Sequence, residues 1–301
     1  MKRKVFIFSA KLIVFLIPVL LFFELLFLAG YTPIFTNSTL FDTKMMAVQK
    51  EHIKGVKIMA LGSSITLFEL NSELIVKNLD SPYYNFGSWG LQMVDMNNLI
   101  TGYVNAYHPN YVIICSSISD FVSAQNDSYF NYINTPRWIK DHLPEYFYFK
   151  NFNSIHQVIR RKIKAYPLIL DEWGGAPLRI KPTNKVDILN DRVVFPTKYT
   201  NENYNKLDSL ASFLHGQHIQ LIFMQSPIRN SRVDTLVSQQ VLNTHFAACK
   251  AIVEKNGGVY LNYDNPQIYA DSLFVGRYHL MDTGAIILTK EMIPDLKQII
   301  K

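Results

Sequence analysis

A serine hydroxyl becomes a nucleophile when a base can take its proton and donors can hold the negative charge that follows. Three segments of this 301-residue chain offer such parts. Leu61-Gly62-Ser63-Ser64-Ile65-Thr66 sets hydroxyls between an apolar run and a helix-like one. One of them can stand at a strand-to-helix turn, where free backbone N–H groups favour negative charge. The same serines would also serve as an ordinary helix N-cap. Asn85-Phe86-Gly87-Ser88-Trp89-Gly90 carries two glycines that let backbone approach a ligand closely, so an amide there could face an oxyanion; a simple turn would use the same residues. Phe274-Val275-Gly276-Arg277-Tyr278-His279-Leu280-Met281-Asp282-Thr283 puts a histidine just before the last helix-like segment, where it could reach a serine on the first loop.

These loops need elements that bring them together, and the sequence alternates strand-like and helix-like segments in the way of a parallel sheet covered on both faces. Strands are expected at Val56–Leu61, Tyr83–Phe86, Tyr111–Ser116, Ile219–Met224 and Val259–Asn262. Helices are expected over about 65–78, 91–106, 202–216, 233–256 and from Thr283 onward. The predicted class is a three-layer α/β/α domain with a mostly parallel sheet, preceded by one transmembrane helix. In such sheets the ligand site lies beyond the carboxyl ends of the strands, which selects the loops at 62–66, 85–90, 116–121 and the segment before the final helix.

Composition removes several functions. The net charge of +6 includes Lys2, Arg3, Lys4 and Lys11, which leaves about +2 for the rest and no basic footprint for nucleic acid. Neither Cys115 nor Cys249 belongs to a metal-spaced cluster, and both lie where buried free thiols usually sit, so no metal, cofactor or disulfide framework is expected. From Leu12 to Gly30 the chain is apolar apart from Glu24, a run of about 28 Å as a helix, close to bilayer thickness. All its flanking cations precede it, which predicts a single-pass anchor with the N-terminus cytoplasmic and the main domain extracytoplasmic. Residues 1–30 are then the anchor, 31–53 a tether, and 54–301 the α/β domain with an insertion at about 121–200. Glu24 would sit about 9 Å inside the membrane, a position costing a few kcal/mol, where it could snorkel, be protonated or contact another membrane protein.

Taken together, the small-residue-plus-serine turn, the Asn85-to-Gly90 block of N-x-G-x-x-G form and the C-terminal H-L-x-x-x-G beginning at His279 resemble the SGNH/GDSL superfamily. The resemblance covers about residues 56–120 and 219–299. It implies Ser64 as nucleophile, His279 as general base, and an oxyanion hole from the amides of Ser64 and Gly90 with Ser119 as a third contributor. The G-S-S form behind an N-terminal anchor is similar to the acyl-transfer proteins of the DltD and AlgJ type. That likeness implies an acylated glycan or polymer as substrate and a membrane-bound O-acyltransferase as partner, reached through the anchor and Glu24. Two positions depart from the family: Ser119 stands in its asparagine slot, and Gly276 where it has an aspartate three residues before the histidine. Asp282 or Asp271 is left to orient His279. These departures keep open a second reading, a catalytically degenerate adaptor with the same fold.

Within the insertion, residues 137–164 carry seven cations (Arg137, Lys140, Lys150, Arg160, Arg161, Lys162 and Lys164) interleaved with Trp138, Tyr146, Phe147, Tyr148, Phe149 and Phe152. Such a segment either packs its aromatics inward as a lid or lies on an anionic membrane surface.

Overall fold

The computed structural model describes residues 2–51, 53–122, 129, 132, 134–143, 145–164, 170–179, 201–230, 236–275 and 278–301. These fall into two compact units, Met1–Glu51 with Asp127–Leu168, and His52–Asn126 with Ile169–Lys301.

The second unit is built on a five-stranded parallel sheet. Its strands are β1 (Ile58–Ala60), β2 (Tyr83–Asn85), β3 (Tyr111–Ser116), β4 (Gln220–Gln225) and β5 (Val259–Asn262), in the order β2-β1-β3-β4-β5. All five expected strands are present, and every pairing is parallel. The central strands are buried on both faces, as β1 and β3 show with Ile58, Met59, Ala60, Val112, Ile113 and Ile114 all at zero exposure. That is why they read as continuous apolar runs rather than alternating ones. Residues pointing to one face (Ile58, Ala60, Ile113, Cys115, Ile222 and Met224) share a core with Ile65, Ile75, Leu288, Met292 and Leu296.

The chain leaves β1 toward β2 on one side and returns to β3 on the other, so the topological switch point lies between β1 and β3. The loops that follow these strands are those of Ser64 and Ser117–Asp120.

Flanking helices are α3 (Ser64–Glu69), α4 (Ser72–Leu79), α5 (Met93–Tyr107), α9 (Asn201–Gly216), α10 (Leu236–Lys255) and α11 (Asp282–Ile299). The single helix expected over 65–78 is divided. Leu70 takes an extended conformation (ψ 110°), and Asn71 starts a new helix by accepting the Leu74 N–H through Oδ1 at 3.0 Å. Its own N–H donates to Thr289 Oγ1 on α11 at 2.9 Å, so tertiary pairing and an asparagine cap outweigh helical periodicity here. From the insertion, 170–179 folds onto the sheet edge: Asn85 N–H donates to Trp173 O at 2.8 Å. Gly174 (φ +80°) is required there, since a Cβ would lie 2.5 Å from Asn85 O.

The first unit holds α1 (Lys2–Leu28), α2 (Thr39–Lys50), α6 (Arg137–His142), α7 (Glu145–Lys150) and α8 (Ile155–Lys164). α1 is long and apolar enough to cross a membrane. Residues 137–164 form three short α-helices among the described residues, and their aromatics divide: Phe147 and Tyr148 are buried, whereas Trp138, Phe149 and Phe152 are exposed. Phe23 of α1 stacks on Tyr148 with ring centroids 5.2 Å apart, and Phe35 meets Phe147 edge-on at 4.6 Å. The segment expected as a tether contains α2, whose start is fixed by Ser38 accepting the Phe41 N–H and by Asp42 accepting from Thr36.

Candidate active site

Ser64 opens α3 directly after β1. Ser63 caps that helix, its hydroxyl accepting the Ile65 N–H at 3.1 Å, so the N-cap and the candidate nucleophile are adjacent, separate residues. The turn is compact because Gly62 has no side chain: a Cβ there would lie 1.9 Å from Thr66 Oγ1. Thr66 in turn donates to Cys115 O on β3 at 2.7 Å, locking the start of α3 to the centre of the sheet.

The structure brings Ser64 and His279 together. Ser64 Oγ stands 3.3 Å from His279 Nε2, across 215 positions of sequence. His279 lies on β7 (His279–Leu280), which pairs antiparallel with β6 (Phe274–Val275). Phe68 of α3 packs edge-on against the imidazole at 5.3 Å and restricts its rotation.

The carboxylate facing the other ring nitrogen is Glu69, at the end of the helix that Ser64 begins. Its Oε1 is 3.9 Å from His279 Nδ1, an ion-pair separation somewhat longer than a hydrogen bond. Nδ1 is buried with no hydrogen-bond partner among the described residues. Glu69 is completely buried; Oε1 accepts the Leu280 N–H at 3.3 Å and Oε2 accepts a hydrogen bond from the Ser226 hydroxyl. Burial pushes the Glu69 carboxyl above its ordinary range, while the nearby His279 imidazole, the Ser226 hydroxyl and the Leu280 amide pull against that shift.

Neither aspartate considered for this place occupies it. Asp282 faces Arg179 at 3.7 Å from the first turn of α11, and Asp271 faces Arg229 at 3.4 Å. Both are engaged elsewhere, and Gly276 lies outside the described residues.

The loop after β2 is stapled to the Ser64 turn by the Ser88 N–H, which donates to Gly62 O at 2.9 Å. Gly90 ends that loop in a left-handed conformation (φ +78°), where a side chain would be strained. The loop after β3 is tied by hydroxyls. Ser116 Oγ donates to Asp120 at 2.8 Å, the Ser117 N–H reaches the same carboxylate, and Ser63 also hydrogen-bonds to it. Burial pushes Asp120 up to about 7 against those donors. Ser119 Oγ is 2.6 Å from Ser117 Oγ, so its hydroxyl is already engaged within its own loop. Among the described residues, no group of three or more His, Cys, Asp and Glu side chains is placed to hold a metal ion.

No protein-family profile matches the chain, and no curated protein matches it either. Solved structures do overlap with it. A proposed acylhydrolase from Bacteroides fragilis is 13% identical, with 84% of this chain and 95% of that one covered at a TM-score of 0.47. LAE5, an alpha/beta hydrolase from the metagenome of Lake Arreo, is 13% identical, with 83% and 99% covered at 0.45. Axe2, an acetylxylan esterase from Geobacillus stearothermophilus, is 14% identical, with 81% and 94% covered at 0.46.

Proposed function

We propose that this chain is a serine O-acyl esterase or acyltransferase, with Ser64 as nucleophile, His279 as general base and Glu69 as the group that orients and balances His279. The observation that carries the reading is one imidazole set between two groups of one short helix, with Ser64 Oγ 3.3 Å from Nε2 and the buried Glu69 carboxyl 3.9 Å from Nδ1.

The chemistry follows from that arrangement. His279 Nε2 accepts the Ser64 proton as Oγ attacks an ester carbonyl, and the negative Glu69 favours the imidazolium that results. The tetrahedral oxyanion is held by the amides of Ser64 and Gly90. Collapse breaks the bond to the leaving alkoxide, which takes from Nε2 the proton that came from Ser64 and departs as the alcohol, leaving an acyl group on Ser64. Water or an acceptor hydroxyl then removes the acyl group by the reverse sequence. Ser119, with its hydroxyl engaged by Ser117, contributes little to the oxyanion hole.

In this reading α1 anchors the protein in a membrane, and the cations Lys2, Arg3 and Lys4 at its start hold that end in the cytoplasm, leaving the α/β unit outside the cell. An acylated cell-surface glycan or related polymer then becomes the substrate, and a membrane-bound O-acyltransferase the partner that supplies or shares the acyl group. The engaged Ser119 hydroxyl favours the second reading, an adaptor with little turnover that binds a glycan or such a partner.

A fluorophosphonate probe separates the two. The enzyme reading expects covalent labelling of the purified chain that Ser64→Ala abolishes without lowering its melting temperature. Absence of labelling in the folded wild-type chain would leave the adaptor reading in its place.

A further inference from the structure

The structure assigns a lipid-facing surface to α7 and α8 and, with it, a position for the bilayer along α1 that differs from the apolar run of the sequence. This inference rests on the reading of α1 as a membrane span.

α1 is longer than a bilayer needs: its 27 residues extend about 40 Å, against a hydrocarbon layer of roughly 30 Å. Where the bilayer lies along it is therefore open. Taken from Leu12 to Gly30, it would place Glu24, Phe23 and Phe27 inside the hydrocarbon. The structure covers one face of that part of α1 with protein, leaving Leu25 and Leu28 exposed on the other. Phe23 and Phe27 are 1% and 7% exposed, packed in a cluster with Tyr148 of α7 and Val158 of α8. Glu24 shares a hydrogen bond with Glu145 at the start of α7. Burial first, and then the Glu24 contact, push the Glu145 carboxyl up to about 7. Both residues reach water readily only if this level of α1 lies at the edge of the hydrocarbon.

Sliding the bilayer toward the N-terminus achieves that. Val5 to Phe23 covers about 28 Å, and its side chains from Val5 to Phe22 include most of the exposed large apolar groups of α1. Lys11 then enters the layer about 9 Å from its edge, within the reach of a snorkelling lysine. Residues 24–28 cross the headgroup layer, and α7 and α8, packed on them, lie in that layer as well.

The exposed residues of these helices suit such a place. Phe149 is 41% exposed while its ring touches Phe23 at 4.8 Å, so its outer face continues the lipid face of α1. Phe152 and Ile159 are 59% and 48% exposed, with Lys150 and Arg160 exposed beside them in sequence. Aromatic and aliphatic groups next to cations are the composition of a surface seated among lipid headgroups.

The test uses the full chain in liposomes of phosphatidylethanolamine and phosphatidylglycerol, with one nitroxide at a time introduced by Leu20→Cys, Leu28→Cys, Phe152→Cys or Glu202→Cys. Cys115 and Cys249 are fully buried, so the unsubstituted chain supplies the labelling background. Collision with oxygen and with a water-soluble nickel complex reads depth. The expected result is a deep label at 20, headgroup-level labels at 28 and 152, and a nickel accessibility at 152 several-fold below that at 202. A label at 152 as accessible as that at 202 overturns the lipid-facing surface while the span stands. A label at 28 as deep as that at 20 overturns the position of the bilayer. A water-like label at 20 removes the span itself and this inference with it.

Discussion

Replacing Glu69 by glutamine removes a charge and almost nothing else, and its effect can be worked from the site. The side chain keeps its volume, and the amide oxygen can still accept the Leu280 N–H that the carboxylate receives at 3.3 Å. What disappears is attraction between the carboxylate and an imidazolium whose Nδ1 is 3.9 Å away. With an effective dielectric constant of about 20, that attraction is on the order of 4 kcal/mol. It exists only while His279 carries the Ser64 proton, so its loss falls on the barrier. We expect Glu69→Gln to lower kcat by on the order of 10³-fold with little change in KM. The assay is hydrolysis of p-nitrophenyl acetate, followed beside thermal unfolding. Burial raises the Glu69 pKa in the fold, so the unfolded chain gives up this proton more readily. Wild-type stability therefore falls as pH rises past the unfolded value of 4.5, and glutamine carries no such cost. The variant should melt no lower than wild type at pH 7. Retention of kcat within about threefold, in a chain that hydrolyses the ester through Ser64, would refute the role given to Glu69.

Other outcomes follow from the same contacts. Asp282→Asn and Asp271→Asn should each leave kcat/KM within about twofold of wild type, because these carboxylates face Arg179 and Arg229; a loss on the scale of Glu69→Gln would return one of them to the site. Gly62→Ala places a methyl group 1.9 Å from Thr66 Oγ1 and must displace the bond from Thr66 to Cys115 O. A destabilisation of about 1–3 kcal/mol is expected in chemical denaturation, with lower ester turnover. Asp120 is pushed up to about 7 from 3.8, so the wild-type chain should lose stability as pH rises between about 4 and 7. Asp120→Asn should flatten that dependence in melting curves taken across the range.

Much of this architecture was legible because its signals are local. The five strands are short apolar runs closed by turn residues; their order in the sheet, and with it the switch point, rests on pairings between distant segments. His279 stood out because it borders a turn on the ligand side of the sheet, whereas Ser64 was separated from Ser63 only by the motif resemblance; the structure places Ser64 and His279 in contact. Glu69 did not stand out, although it lies only five positions from Ser64. In an unbroken helix those positions are about 140° apart, which reads as two unrelated faces. The imidazole enters between them, one nitrogen toward each, so a separation that hides the relation in sequence is what the geometry requires. A glutamate inside the apolar run Ile65–Leu70 was the available clue, since a lone carboxyl is rarely buried without a partner. The break at Leu70 and Asn71 was hidden as well, because it depends on Thr289 more than two hundred positions away. In the first unit, composition marked residues 137–164 as aromatic and basic, yet only tertiary packing decides that Tyr148 turns inward and Phe152 outward.

Because Ser64 and Glu69 ride on one six-residue helix, they move as a single body, and both meet His279 across the same joint: the approach of β6 and β7 toward α3. A displacement of that strand pair would part His279 from both neighbours together, so partial assembly with only one contact made is disfavoured. The Leu280 amide spans the same joint, since its hydrogen ends on Glu69 Oε1. Its exchange with solvent deuterium would therefore time the opening of the joint directly, one backbone proton serving as the clock for the whole constellation.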